Sequence, residues 1–191
     1  MLEVEAVKSA EQRDQVEKHL DDFGPIYRDV WRFGINTALR ISDLLNIRLA
    51  DVTELDPDRP VLKLKEGKTG KARQIRLNRA AVAVIEDRRT TYPDAVWLFQ
   101  TESPKIRKKD PKPITRRSVC RVFEKVGGKI RPRVQMGTHS MRKTRGYAMH
   151  EAGRPIEEIC KVMNHSHPAI TMRYIGLTQE DIDRSYTDFE L

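Results

Sequence analysis

The 191-residue sequence has little cysteine, few aromatics and no long apolar run. Each shortage closes off a class of protein. Cys120 and Cys160 are its two cysteines, and they stand in no zinc-type spacing. A disulfide scaffold does not fit a chain of this size, whereas a reduced, cytosolic compartment does. No window approaches the run of about 20 apolar residues that a membrane span needs. The opening "MLEVEAVKSAEQRDQ" has neither a basic n-region nor an apolar core, so it does not read as a signal peptide. There is no internal repeat and no low-complexity tract. With 38% hydrophobic residues and a mean hydropathy of −0.64, the composition is that of a fairly polar globular chain.

Positive charge, by contrast, is plentiful. The formal net charge is +8 and the sequence pI about 9.6. It is concentrated: residues 101–150 hold 15 Lys and Arg against 3 Asp and Glu, and the remainder of the chain is slightly acidic. A basic sector of this kind points to a polyanion, with nucleic acid first in line, and against a merely solvated charged face.

The patterning predicts a mostly helical α+β chain with one small antiparallel sheet. Ser9 and Gln12 form a capping-box pair at the start of a first helix. A second helix runs from Pro25, with Ile26, Val30, Phe33 and Thr37 at helical spacing. A third lies in "ISDLLNIRL". Residues 61–77, "VLKLKEGKTGKARQIRL", read as two strands around a glycine-containing turn. Helices follow in "RAAVAVIEDRR" and from near Thr115, the latter ended by Gly127 and Gly128. Thr138 caps the next, which runs to Gly153. Pro155 opens another, with Ile156, Ile159, Cys160 and Met163 on its buried stripe, and Thr178 and Asp181 start a last one. Trp31, Tyr147 and Tyr186 read as packing residues.

Several stretches carry groups suited to chemistry. In "THSMRKTRG", His139 and Arg142 share a face at a helix start, where free N–H groups and dipole suit a phosphate. Arg40 stands between apolar neighbours and needs a partner, such as Asp43 or a ligand anion. Lys68 sits at the tip of the hairpin. His165 and His167 form an H-x-H pair without a suitable third metal ligand nearby. Tyr174 follows His165 by nine residues, across a proline-started piece spanning roughly 9 Å at helical rise. Taken singly, each has a plain reading as a surface or packing residue. Together they are the parts of a metal-free phosphoryl transfer. Two guanidinium forks can hold non-bridging oxygens, a tyrosine can attack once its proton is shared, and a lysine can protonate a leaving oxygen.

In this combination the sequence resembles the catalytic domain of the tyrosine recombinases, the phage-integrase family, over about residues 5 to 188. "TALRISDLL" resembles the first-arginine box, "KEGKTGK" the hairpin-lysine box, "HSMRKT" the H-x-x-R box, and "MNHSHPAITMRYIG" the final box. The order of the boxes and the His-to-Tyr gap make the match specific. Two departures stand out: Ala38 where the family often has Gly, and Asn164 before His165 where it often has Gly. Neither is a reacting side chain.

The resemblance implies that Tyr174 is the nucleophile, Arg40 and Arg142 the phosphate clamp and Lys68 the general acid. It gives His139 proton transfer, His165 a hydrogen bond to the phosphate, and Asp43 support of Arg40 or its surroundings. It implies no cofactor and no metal. The partner would be double-stranded DNA, with self-association into a tetrameric synapse, in the cytoplasm at the nucleoid. Residues 1–191 would be the catalytic domain, with the usual amino-terminal core-binding domain absent. The basic loop of Lys105, Arg107, Lys108, Lys109 and Lys112, with Arg116 and Arg117 after it, is the expected DNA-backbone contact. Two other readings share some of these features: a DNA-binding relative without catalysis, and a type IB topoisomerase-like enzyme.

Overall fold

The computed structural model describes residues 4–53, 60–102, 111–175 and 179–188. Helix α1 (Ala10–Asp21) is capped as its sequence suggests. The Ser9 hydroxyl accepts from the Gln12 N–H at 3.0 Å, and the Gln12 side chain accepts from the Ser9 N–H at 3.3 Å. Helix α2 (Pro25–Thr37) buries Ile26, Val30, Phe33 and Thr37 along one side. The helix expected in "ISDLLNIRL" is α3 (Ile41–Leu45), and a further short helix, α4 (Leu49–Thr53), starts at the last residue of that stretch. The break has a backbone cause: the Ile47 carbonyl accepts from the Leu98 N–H, and the Leu49 N–H donates to Val96, so the groups between the helices pair with a distant strand-like segment.

Strands β1 (Val61–Lys65) and β2 (Ala72–Arg76) pair antiparallel, with Val61 opposite Arg76 and Lys65 opposite Ala72. Helix α5 (Arg79–Thr91) is capped by the Asn78 side chain. Helix α6 (Arg116–Lys129) is capped by Thr115. Helices α7 (Ser140–Glu151), α8 (Ile156–Met163), α9 (Pro168–Ile175) and α10 (Gln179–Asp188) follow. Helix α2 is the hub, packing on α1, α3, α5 and α7. Trp31 stacks edge-on against Phe123, and Phe33 against Phe99, in the main core. A smaller core joins Ala38, Ile159, Met163 and Ile175.

Three expectations need correction. Helix α7 starts one residue late, with His139 rather than Thr138 at its cap position, and it ends at Glu151, short of Gly153. Tyr186 is 78% exposed, not packed, whereas Trp31 is fully buried. Tyr147 lies beneath the Lys8 ammonium. Thr178 lies outside the described residues.

The third concerns Gly127 and Gly128, which lie inside α6 rather than ending it. Gly127 is required by close approach: a Cβ there would stand 2.2 Å from the Val134 carbonyl oxygen and 3.0 Å from Met136. At Gly128 nothing lies within 4 Å of an added Cβ. We expect Gly127→Ala to lower unfolding free energy by about 1–3 kcal/mol through overpacking. Gly128→Ala should raise it by about 0.5–1 kcal/mol through helix propensity. Urea denaturation of both variants checks the pair, and equal effects would contradict it.

Candidate active site

Arg40, Lys68, His139, Arg142, His165 and Tyr174 all line one cleft of about 480 Å³. Five separate elements deliver them. Arg40 precedes α3, Lys68 lies in the β1–β2 turn, and His139 and Arg142 open α7. His165 follows α8 and Tyr174 sits on α9. Of the basic segment, Arg116 also lines the cleft, while Arg117 and Lys112 are exposed elsewhere. Lys105, Arg107, Lys108 and Lys109 lie outside the described residues.

Tyr174 points into the cleft. Its hydroxyl is 3.1 Å from His139 Nδ1, and its ring lies 4.8 Å, centroid to centroid, from that of His165. Two anchors fix this direction. One residue after Tyr174, Ile175 is buried in the small core. One turn before it, the fully buried Thr171 holds His165 Nδ1 through its hydroxyl at 3.0 Å. The His167 ring accepts from the Ala169 N–H at 3.2 Å, which caps the start of α9.

Arg142 is 1% exposed. Its guanidinium donates to the Ala38 carbonyl, to the Met163 carbonyl at 2.6 Å, and to His165 Nε2 at 3.1 Å. Burial and the nearby positive charges of Arg40 and Arg73 pull its pKa down to about 10. Arginine only donates, so His165 Nε2 accepts and Nδ1 carries the proton given to Thr171. Burial and the charges of Arg142 and Arg40 push His165 down to about 4. Burial, then Arg142, also lowers His139. Both rings are therefore neutral at pH 7.

The His165 shift makes a stability prediction. Its ordinary pKa is 6.5, so the unfolded chain takes up this proton at a higher pH than the folded one. The stabilisation is full above about pH 6.5 and is lost as pH falls toward 4. His165→Asn should flatten the fall of Tm over that window, with His139 still supplying part of the slope. A slope equal to the parent's would contradict this.

Arg40 finds its partner in Glu66, not Asp43: Nη1 meets Glu66 Oε2 at 2.5 Å. Asp43 instead accepts from the Gly67 N–H at 2.9 Å, pinning the turn that carries Lys68 to the start of α3. Glu66 has no solvent exposure. Burial would raise its pKa, but the Asn164 amide, the Thr69 hydroxyl and Arg40 together hold it at about 2. Glu66, Arg73 and Thr171 escaped the sequence reading. The alternation within the hairpin makes Glu66 and Arg73 look like ordinary strand charges, and only the tertiary fold turns them inward.

Among the described residues, the positive-φ residues other than glycine are Ala38 (φ 52°) and Asn164 (φ 50°), at the ends of α2 and α8. These are the two positions where the resembled family often has glycine. The Ala38 carbonyl accepts from Arg142.

Comparison with known proteins identifies the fold and the family. The phage integrase family model matches residues 12–181. The chain is 31% identical over 186 residues to a probable integrase/recombinase, YoeC, of Bacillus subtilis (strain 168), covering 97% of each. It is 26% identical to a probable integrase/recombinase of Acholeplasma phage L2, covering 85% of this chain but 53% of that one. The fold matches XerA recombinase with a TM-score of 0.70 at 15% identity, over 98% of this chain and 65% of that one. It also matches a lambda integrase dimer bound to a core site, with a TM-score of 0.68 at 12% identity, over 92% of this chain and 60% of that one. The fold is thus that of the tyrosine recombinase catalytic domain, and the chain belongs to the phage integrase family.

Proposed function

We propose that this chain carries the catalytic part of a site-specific DNA recombinase that cuts and rejoins strands through a covalent tyrosine link. The observation that carries the reading is Tyr174. Its hydroxyl contacts a neutral histidine inside a cleft lined by two arginines and the hairpin lysine. A phenol with pKa near 10 attacks phosphorus only when its proton has somewhere to go. His139 Nδ1 accepts that proton as the Tyr174 Oη–phosphorus bond forms. The bond from phosphorus to the 5′ oxygen breaks, and Lys68 gives that oxygen its proton. Arg40 and Arg142 hold the non-bridging oxygens as charge builds on them.

The product is a 3′-phosphotyrosyl link and a free 5′ hydroxyl. A 5′ hydroxyl from a partner strand reverses the step, so the bond energy is kept and neither ATP nor metal is consumed. As found, His165 Nε2 accepts from Arg142. A phosphate anion in the cleft would raise the pKa of His165 and let Nε2 donate to it. Exchange between four strand ends calls for a tetrameric assembly on double-stranded DNA, at the nucleoid in the cytoplasm. Lys105, Arg107, Lys108, Lys109, Lys112, Arg116 and Arg117 would supply backbone contacts.

The test is a nicked duplex drawn from the sequence flanking the gene, whose cleavage releases a short strand and traps the enzyme. A covalent adduct formed equally with and without a strong chelator supports the reading. DNA binding without any adduct would favour a non-catalytic relative. Relaxation of supercoiled plasmid by the isolated protein would favour a topoisomerase-like enzyme. Complete inhibition by the chelator would point to a metal.

A further inference from the structure

Arg73, on β2, belongs to none of the groups given a role above, yet its side chain is only 8% exposed. Its Nη2 donates to the Thr37 carbonyl at 3.1 Å and to the Val162 carbonyl at 2.6 Å. Arg142 takes the next carbonyl along in each segment, Ala38 and Met163. Two guanidinium groups therefore tie together the same two helix ends, one residue apart. The chemistry favours this: the last carbonyls of a helix lack intrahelical partners and carry partial negative charge. The segment after α2 leads to Arg40, and the segment after α8 leads to His165.

Glu66 ties this brace to the cleft. Its Oε1 accepts from Arg73 at 3.1 Å. Its Oε2 accepts from Arg40 at 2.5 Å and from the Thr69 hydroxyl at 2.9 Å. Thr69 is the neighbour of Lys68 on the hairpin turn. One buried carboxylate is thus shared by a cleft arginine, the brace arginine and the lysine-bearing turn. A buried ion pair is weak evidence for stability, since apolar replacements of similar volume often do as well. What such a pair can supply here is direction, because a planar fork bonded at one arm has its other arm aimed.

We propose that Glu66 and Arg73 are positioning residues for strand cleavage, Glu66 aiming the Arg40 fork and the hairpin turn, Arg73 fixing the two helix ends that present Arg40 and His165. This rests on the strand-cleavage reading above. It adds two residues that act through Arg40, Lys68 and His165 and touch no substrate.

The experiment is single-turnover cleavage of the nicked duplex by the parent, Glu66→Gln and Arg73→Lys at saturating DNA. Amplitude reports the fraction of competent protein, and the first-order rate constant reports the geometry of the chemical step. A misplacement of about 1 Å costs on the order of 10²-fold in rate. We expect rate constants lowered by about 10- to 100-fold, with Kd for the duplex within about threefold of the parent's. A merely structural role would lower amplitude and Tm and leave the rate constant unchanged, and that result overturns the proposal. Should Glu66→Gln fail to fold, Arg73→Lys decides by the same criterion, since it keeps the charge and removes only the fork. A parent that forms no adduct overturns the functional reading, and this proposal with it. A parent that does, beside variants of equal rate constant, overturns this proposal alone.

Discussion

Tyr174→Phe is expected to bind the nicked duplex as the parent does and to form no covalent adduct with it. The substitution removes a single oxygen. The ring keeps its place against His165, and the neighbouring Ile175 keeps its place in the small core. Thr171, which ties α9 to His165, is untouched. Folding and DNA affinity should therefore be near the parent's, and only the hydroxyl proposed to attack phosphorus is lost. Removing the nucleophile of a catalytic group that acts as a unit costs about 10⁴-fold or more, so adduct should fall to background. Denaturing gels of labelled DNA read this directly, with Tm and Kd as controls. A phenylalanine variant that still traps DNA would move the nucleophile elsewhere. The exposed Tyr186 on α10 would then be the first residue to replace.

Helix order, the hairpin and the capping pairs were legible in the sequence because each is fixed locally. Ser9 with Gln12 is one such pair, and the Ile26–Val30–Phe33–Thr37 stripe is another local signal. Helix limits were less legible where tertiary approach outweighs propensity. Gly127 looks like a stop signal, but its missing side chain makes room for the Val134 carbonyl while the helix continues. Likewise the break between α3 and α4 depends on Val96 and Leu98, which lie far along the chain. The residues that line the cleft could be assembled through a family resemblance that joins distant boxes. The groups behind them could not. No spacing rule links Glu66 to Arg40, or Arg73 to Val162, because their contacts depend on how the hairpin seats against the ends of α2 and α8. Asp43 shows the same limit. Its place near Arg40 in sequence suggested a partner, whereas its carboxylate reaches the hairpin turn instead.

Arg40→Lys is the second change expected to remove most cleavage, although it conserves charge. With Nη1 committed to Glu66, the remaining N–H groups of Arg40 are available to an anion in the cleft that the residue lines. The planar fork lets one side chain serve both the carboxylate and a phosphate. A lysine ammonium is a compact point charge and has no second arm at a fixed distance. Glu66 is buried, ionised and already beside that position, so it would capture the ammonium and hold it back from the phosphate. Loss of one donor aimed at developing charge costs about 10²- to 10³-fold in rate, and a fall of that size in the single-turnover rate constant is expected here. DNA affinity should change little, because one contact among many backbone contacts is replaced by another cation. Pairing the change with Glu66→Gln tests whether that capture is what holds the ammonium back. Freed from the carboxylate, the lysine could turn to the phosphate, so the double variant should lose less than the product of the two single losses. Losses that multiply would show that Glu66 and residue 40 act independently, and near-normal cleavage by Arg40→Lys alone would remove residue 40 from the phosphate clamp.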